Sequence, residues 1–108
     1  MKARWISIAA AALAIVGAGQ ALADEALAKK SGCFQCHSVD KKLVGPTFHD
    51  VAAKYKNEAG ARSALIEKVK KGGKGNWTEV SHGVPMPPHS GRLSDAEIQR
   101  LIDWVLSL

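Results

Sequence analysis

Apolar side chains recur at helical spacing in three stretches of this chain, and start or stop signals bracket each stretch. Phe48, Val51, Ala52 and Tyr55 stand at i, i+3, i+4 and i+7. They predict a helix over residues 48–55, opened by Pro46 or Thr47 and broken by residues 57–60. Leu65, Ile66 and Val69 form a stripe on a second helix over residues 61–71, which stops at Gly72-Gly73. The last stretch opens on Ser94-Asp95-Ala96-Glu97, a capping box, and carries Ile98, Leu101, Ile102, Val105 and Leu108 on one face. This closing helix should be the longest and best formed, with Trp104 beside the stripe and packed toward the first helix. That first helix is short, residues 24–30, acidic at its start and basic at its end as the helix dipole prefers. Residues 72–88 show no periodicity. The pattern is all-α, with four to five short helices.

The N-terminus reads differently. Lys2 and Arg4 are followed by an apolar run from Ile6 to Ala18, too short for a comfortable membrane span, and then by the small-residue site Ala21-Leu22-Ala23. Residues 1–23 are therefore expected to be a cleaved signal peptide, and residues 24–108 one small domain with no stable membrane insertion. The expected compartment is the periplasm. Removing Lys2 and Arg4 from the 15 Lys and Arg leaves 13 against 10 Asp and Glu, a net charge of +3. So small an excess gives no ground for a nucleic-acid partner. Lys41-Lys42 and the lysines between 68 and 74 are local patches, suited at most to an acidic docking partner. A domain of this size buries a modest core and often needs a covalent or metal staple.

Cys33-Phe34-Gln35-Cys36-His37 supplies one. It reads C-x-x-C-H, the attachment pattern of a c-type haem. Two thiols one turn apart reach two vinyl groups of a single porphyrin, and the next residue projects an imidazole at the iron. The rival readings are weaker. A dithiol redox pair would follow a strand, and no strand pattern precedes Cys33. A zinc site needs about four ligands, and no second Cys or His pair stands nearby. A disulfide between Cys33 and Cys36 would close a very short loop and stabilise little. Gly32, before the first cysteine, is expected to admit a close backbone where the closing helix crosses, or else to cap the first helix. Pro46 fixes its own φ and offers a carbonyl without a competing donor, so it is expected to accept the Nδ1–H of His37; a simple turn proline is compatible with this. The opposite iron face is assigned to Met86, in Val84-Pro85-Met86-Pro87-Pro88, where prolines stiffen the chain that presents the thioether. Met1 is the other methionine and falls in the leader.

Together, C-x-x-C-H, V-G-P-T-F, K-K-G-G-K-G-N-W, P-M-P-P and the closing L-S-D-A-E-I-Q-R-L-I-D-W-V-L resemble a small class I cytochrome c of the bacterial c-551/c-552 type, across nearly all of residues 24–108. The resemblance implies helices wrapped around one covalently attached haem c, with His37 and Met86 as axial ligands and Pro46 as the acceptor for His37. It also places Trp77 where an indole N–H bonds a haem propionate, and Lys68 where a basic side chain lies near the propionates. Two features depart from the pattern. Residues 78–85, with His82 among them, make the Trp77-to-Met86 spacing longer than the compact form, and His89 stands where an asparagine often supports the methionine.

A six-coordinate iron with no open position exchanges electrons and does no substrate chemistry, so the chain is expected not to be an enzyme. The expected function is a soluble monomeric electron carrier between a donor such as the cytochrome bc1 complex and an acceptor such as a terminal oxidase, nitrite reductase or peroxidase. The alternatives are a haem protein that binds peroxide or a gas at an iron lacking Met86, and a cytochrome subunit held in a larger complex. Lys41, Lys42 and Lys74 are candidate rim charges for docking, and His82 a candidate replacement for Met86 in the ferric protein at raised pH.

Overall fold

A computed structural model describes residues 13–108, so the basic start of the predicted leader and the first part of its apolar run lie outside the described residues. Five α-helices follow one another: α1 (Leu13–Lys30), α2 (Phe48–Tyr55), α3 (Ala61–Lys71), α4 (Thr78–Ser81) and α5 (Asp95–Leu106). A single 3-10 turn, Cys33–Gln35, lies between α1 and α2.

α5 is the hub, and its sequence shows why. Ser94 accepts from the Glu97 N–H at 3.2 Å while the Glu97 carboxylate accepts from the Ser94 N–H at 3.0 Å, so two backbone donors at the helix start are satisfied. The Glu97 carboxyl is held below its ordinary pKa, mainly by the backbone and side-chain hydrogen bonds from Ser94. Beyond the cap, Leu101, Trp104 and Val105 pack with Ala28 of α1 and Phe48 and Val51 of α2. Ile98 and Ile102 turn the adjacent face toward Ile66 of α3. Ile98 is fully buried. Burying a side chain of that size is worth about 1.5–3 kcal/mol. Trp104 meets Phe48 edge to face, with ring centroids 5.4 Å apart. α2 starts where Thr47 accepts from the Asp50 N–H at 3.0 Å.

Several expectations are corrected. α1 does not begin at residue 24: it already runs through Leu13, the first described residue, and its 18 described residues exceed the 12 of α5. The added residues are rich in Ala and Leu and contain no proline, so helix propensity carries the turn straight through Ala21-Leu22-Ala23. Residues 19–23 are nevertheless exposed, whereas the half-buried Asp24 binds Arg100 of α5 at 2.7 Å through its carboxylate. Gly32 is not the place where α5 crosses, since a Cβ there would meet only the Gln35 side chain, at 4.0 Å. Its φ of 82° marks it as the left-handed residue that ends α1. The close approach of α5 falls at Ala28 instead, which is 1% exposed. Leu108 lies past the end of α5 and is exposed rather than on the buried face, because Ser107 caps the helix. The long segment after α3 contains the one-turn α4 and a bridge between Gly73 and Met86, neither of which has a periodic signature.

Candidate haem-attachment site

The two thiols and the imidazole are placed by a single turn. Gly32, in its left-handed conformation, starts the 3-10 turn with Gln35 N donating to Gly32 O at 3.1 Å. Cys36 N and His37 N then both donate to Cys33 O, at 3.3 and 2.9 Å. The turn therefore gathers Cys33, Cys36 and His37 at one point. Both cysteines are free and half-buried. Burial raises the pKa of Cys33, against smaller opposing effects of a backbone hydrogen bond and Arg92, so the residue is held as the neutral thiol.

His37 is constrained on three sides. Its Nδ1 lies 2.8 Å from the Pro46 carbonyl, which can only accept, so the proton sits on Nδ1 and Nε2 keeps its lone pair for a metal. Phe48 stacks on the ring at 5.1 Å between centroids and 19° between planes. Gly45 backs the ring so closely that a Cβ there would lie 2.4, 2.7 and 3.0 Å from its atoms. This loop is itself tied down, since Gly45 N donates to Cys36 O at 2.7 Å, Phe48 N to Ser38 O at 2.9 Å and His49 N to Val39 O at 3.3 Å. Pro46, Thr47 and Phe48 are all buried.

Met86 belongs to a different element. It exchanges two backbone hydrogen bonds with Gly73, at 2.8 and 3.1 Å, just beyond the end of α3. Its neighbour His89 is 4% exposed, with Nδ1 2.9 Å from the Pro87 carbonyl. Burial, with Arg92 nearby, lowers the His89 pKa and favours the neutral ring. Trp77 is half-buried against the α1–α2–α5 cluster, with the Lys54 ammonium 5.3 Å from its ring centroid. Lys68 spends its ammonium on the Lys74 carbonyl at 2.7 Å. The structure thus joins Cys33, Cys36, His37 and Pro46 by direct contacts, sets Met86 and Lys68 at the end of α3, and packs Trp77 on the α1–α2–α5 cluster. His82 is exposed with a φ of 53°.

Two contributors escaped the sequence reading. Gly45 was visible only as part of V-G-P, and Phe48 only as a core residue. Spacing signals local conformation and carries no distances between segments.

These residues fit a porphyrin. Among the described residues no three His, Cys, Asp or Glu side chains cluster as a metal cage would require, which disfavours the zinc reading. Two thiols one turn apart plus an oriented imidazole match an iron macrocycle attached through both sulfurs. Large apolar side chains are also left without cover: Leu43, Val44 and Val84 are 46, 41 and 52% exposed, and Leu65, Val69 and Trp77 are only partly buried. Side chains of this kind are what a flat apolar group packs against. Two surface clefts, of about 300 and 200 Å³, lie elsewhere, and neither is lined by Cys33, Cys36, His37 or Met86.

Comparison with known proteins agrees with this geometry. The chain is 48% identical over 95 residues to cytochrome c-551 of Allochromatium vinosum, covering 88% of this chain and 96% of the relative. It is 44% identical over 108 residues to cytochrome c-552 of Nitrosomonas europaea, covering 100% of this chain and 99% of the relative. The crystal structure of wild-type Nitrosomonas europaea cytochrome c552 superposes with a TM-score of 0.69 at 43% identity, covering 78% of this chain and 98% of that one. The sequence profile of the family described as Cytochrome c matches residues 16–108. With its two thiols and its imidazole on one turn, and its helices arranged as in a solved cytochrome c552, this chain belongs to the cytochrome c family and is a haem c electron-transfer protein.

Proposed function

We propose that the protein is a periplasmic carrier that passes one electron at a time between respiratory redox proteins, with Cys33 and Cys36 as the thioether attachment points and His37 and Met86 as the axial ligands. The observation that carries this reading is the His37 ring. Its Nδ1 is committed to Pro46, its face to Phe48 and its back to Gly45, so Nε2 can aim at only one place. Haem, when bound, supplies an iron that alternates between two oxidation states.

The chain's own contribution is to keep that alternation free of rearrangement. The Pro46 carbonyl orients the imidazole and raises its basicity. The Met86 thioether is a soft ligand that favours the ferrous state and raises the potential. With both faces assigned, no position is left for peroxide or a gas. No helix among the described residues is long and apolar enough to cross a membrane. Removal of residues 1–23 is supported by the exposure of residues 19–23 and by the Asp24–Arg100 pair, which fastens the chain just after them. Lys41, Lys42 and Lys74 are exposed and available to an acidic partner, whether a donor such as the bc1 complex or an acceptor such as an oxidase, nitrite reductase or peroxidase.

The test is spectroscopic. The purified protein should keep its colour through denaturation and acid-acetone extraction, and the ferric form should show a methionine-to-iron charge-transfer band that Met86→Ala removes. Extractable haem would refute the attachment. A high-spin spectrum without the band would refute the ligation.

A further inference from the structure

Helix C-termini leave their last carbonyls without intrahelical partners. At the end of α3 those carbonyls are not left to solvent. Lys68 O accepts from Gly72 N at 2.7 Å, Val69 O from His89 N at 2.9 Å and Lys70 O from Ser90 N at 3.3 Å. Two of the three caps come from the segment immediately after Met86-Pro87-Pro88. At Met86 itself, the paired bonds with Gly73 hold the same segment at 2.8 and 3.1 Å. The stretch from Met86 to Ser90 is therefore laid on the end of α3 and fastened at both ends.

Gly72 lies beneath it. Its φ is +67°, and a Cβ built on it would fall 2.4 Å from Met86 O and 2.8 Å from both Pro87 C and Pro88 N. All three are backbone atoms, so no rotamer change can make room. Ordinary carbon contacts begin near 3.5 Å, and a side chain at this position would push the segment away by about 1 Å. Gly60 provides a contrast in space, with no heavy atom within 4 Å, but its φ of +82° and ψ of −5° are ordinary left-handed values, whereas the φ of +67° and ψ of −155° at Gly72 are open to little but glycine.

We propose that Gly72 is the positioning residue for the Met86 thioether: its bare backbone lets Met86-Pro87-Pro88 rest on the end of α3, so that α3, and not the loop of residues 74–85, fixes where the sulfur stands. The inference rests on Met86 as axial ligand. It explains how a lengthened loop, with left-handed His82 and Gly83 at its bend, can precede the ligand without loosening it. A ligand must be held to about 0.5 Å to act in a defined geometry, which is less than the displacement a Cβ would impose.

The test compares Gly72→Ala with Gly60→Ala in the ferric holoprotein. Both substitutions strain a backbone at positive φ, Gly72→Ala the more, and only Gly72→Ala drives a Cβ into the Met86-Pro87-Pro88 backbone. Gly72→Ala should lose the methionine-to-iron band from most molecules at neutral pH and show a lower midpoint potential, with the haem still covalently attached. Gly60→Ala should melt at a lower temperature and keep the wild-type band and potential. A Gly72→Ala protein with the wild-type band and potential overturns the proposal, as does equal loss of the band in Gly60→Ala. Should Gly72→Ala fail to fold, amide exchange in the unaltered holoprotein decides: the Gly73, Met86 and His89 amides should exchange as slowly as those of α3, and exchange of Met86 at open-loop rates overturns it. A wild-type protein without the band refutes Met86 ligation and the proposal with it. A band that Met86→Ala abolishes and Gly72→Ala leaves intact refutes the positioning alone.

Discussion

Gly45→Ala isolates the seat of the imidazole. The new methyl would sit 2.4 Å from one ring atom of His37, 2.7 Å from Nδ1 and 3.0 Å from Nε2. The ring cannot retreat, because Phe48 stacks on it at 5.1 Å and Nδ1 is bonded to Pro46 O at 2.8 Å. Overpacking a filled site costs about 1–3 kcal/mol, and a hydrogen bond broken by the ring's displacement adds about 0.5–1.5 kcal/mol. The expected loss is then about 1.5–4.5 kcal/mol, a large share of the roughly 5–15 kcal/mol that holds a small domain together. In a domain of this size each kcal/mol moves Tm by about 4–8 °C, so the fall should be at least about 6 °C. The assay is thermal unfolding of the holoprotein followed in the visible spectrum, with the His37 ring resonances recorded by NMR. Gly91→Ala serves as the control, since a Cβ there meets nothing within 4 Å. It should be neutral, or stabilising by up to about 1 kcal/mol through the unfolded chain. A Gly45→Ala protein that melts with wild type and leaves the His37 resonances unshifted refutes the close packing of Gly45 on the ring.

Ile98→Ala should cost about 2–5 kcal/mol in urea unfolding, because Ile98 is fully buried where α5 meets α3, and a loss under 1 kcal/mol would show that the site collapses around the cavity. His89 gives the pH dependence. Its folded pKa lies below the ordinary 6.5, so the folded protein refuses a proton that the unfolded chain accepts. Stability is complete above about 6.5 and declines as pH falls through that value toward the folded pKa. Urea titrations between about pH 7.5 and 5 should show this decline in wild type and a shallower one in His89→Asn, and equal slopes would remove His89 as the cause. Changing Lys41, Lys42 and Lys74 together to Glu should slow electron transfer to an acidic partner and flatten its salt dependence without altering the visible spectrum, and unchanged kinetics would reject the patch.

The helices were legible where the sequence states both a period and a boundary. α2 has its stripe and the Thr47 cap, α3 ends at Gly72, and α5 has its capping box, so residues 48–55, 61–71 and the start after Ser94 agree with the structure. Neither the helix through residues 13–23 nor α4 was legible. The Ala-rich stretch of residues 13–23 gives propensity no boundary before residue 24, and one turn of α4 is too short to show a period. In the candidate site, the turn holding both thiols and the imidazole is written in five adjacent residues and needs no tertiary information. Gly45 and Gly72 depend on which distant side chain or backbone lies against them, and that follows only from how the elements pack. Gly32 shows the opposite error: a glycine that seemed to admit a neighbouring backbone needed only its left-handed dihedral.

One helix carries the cooperativity of the fold. α1, α2 and α3 each bury their apolar faces against α5. With that helix unfolded, Ala28, Phe48 and Ile66 lose their common partner. Opening α5 therefore opens its three neighbours with it, so their amides should exchange through one shared event and the molecule should come apart as a single unit.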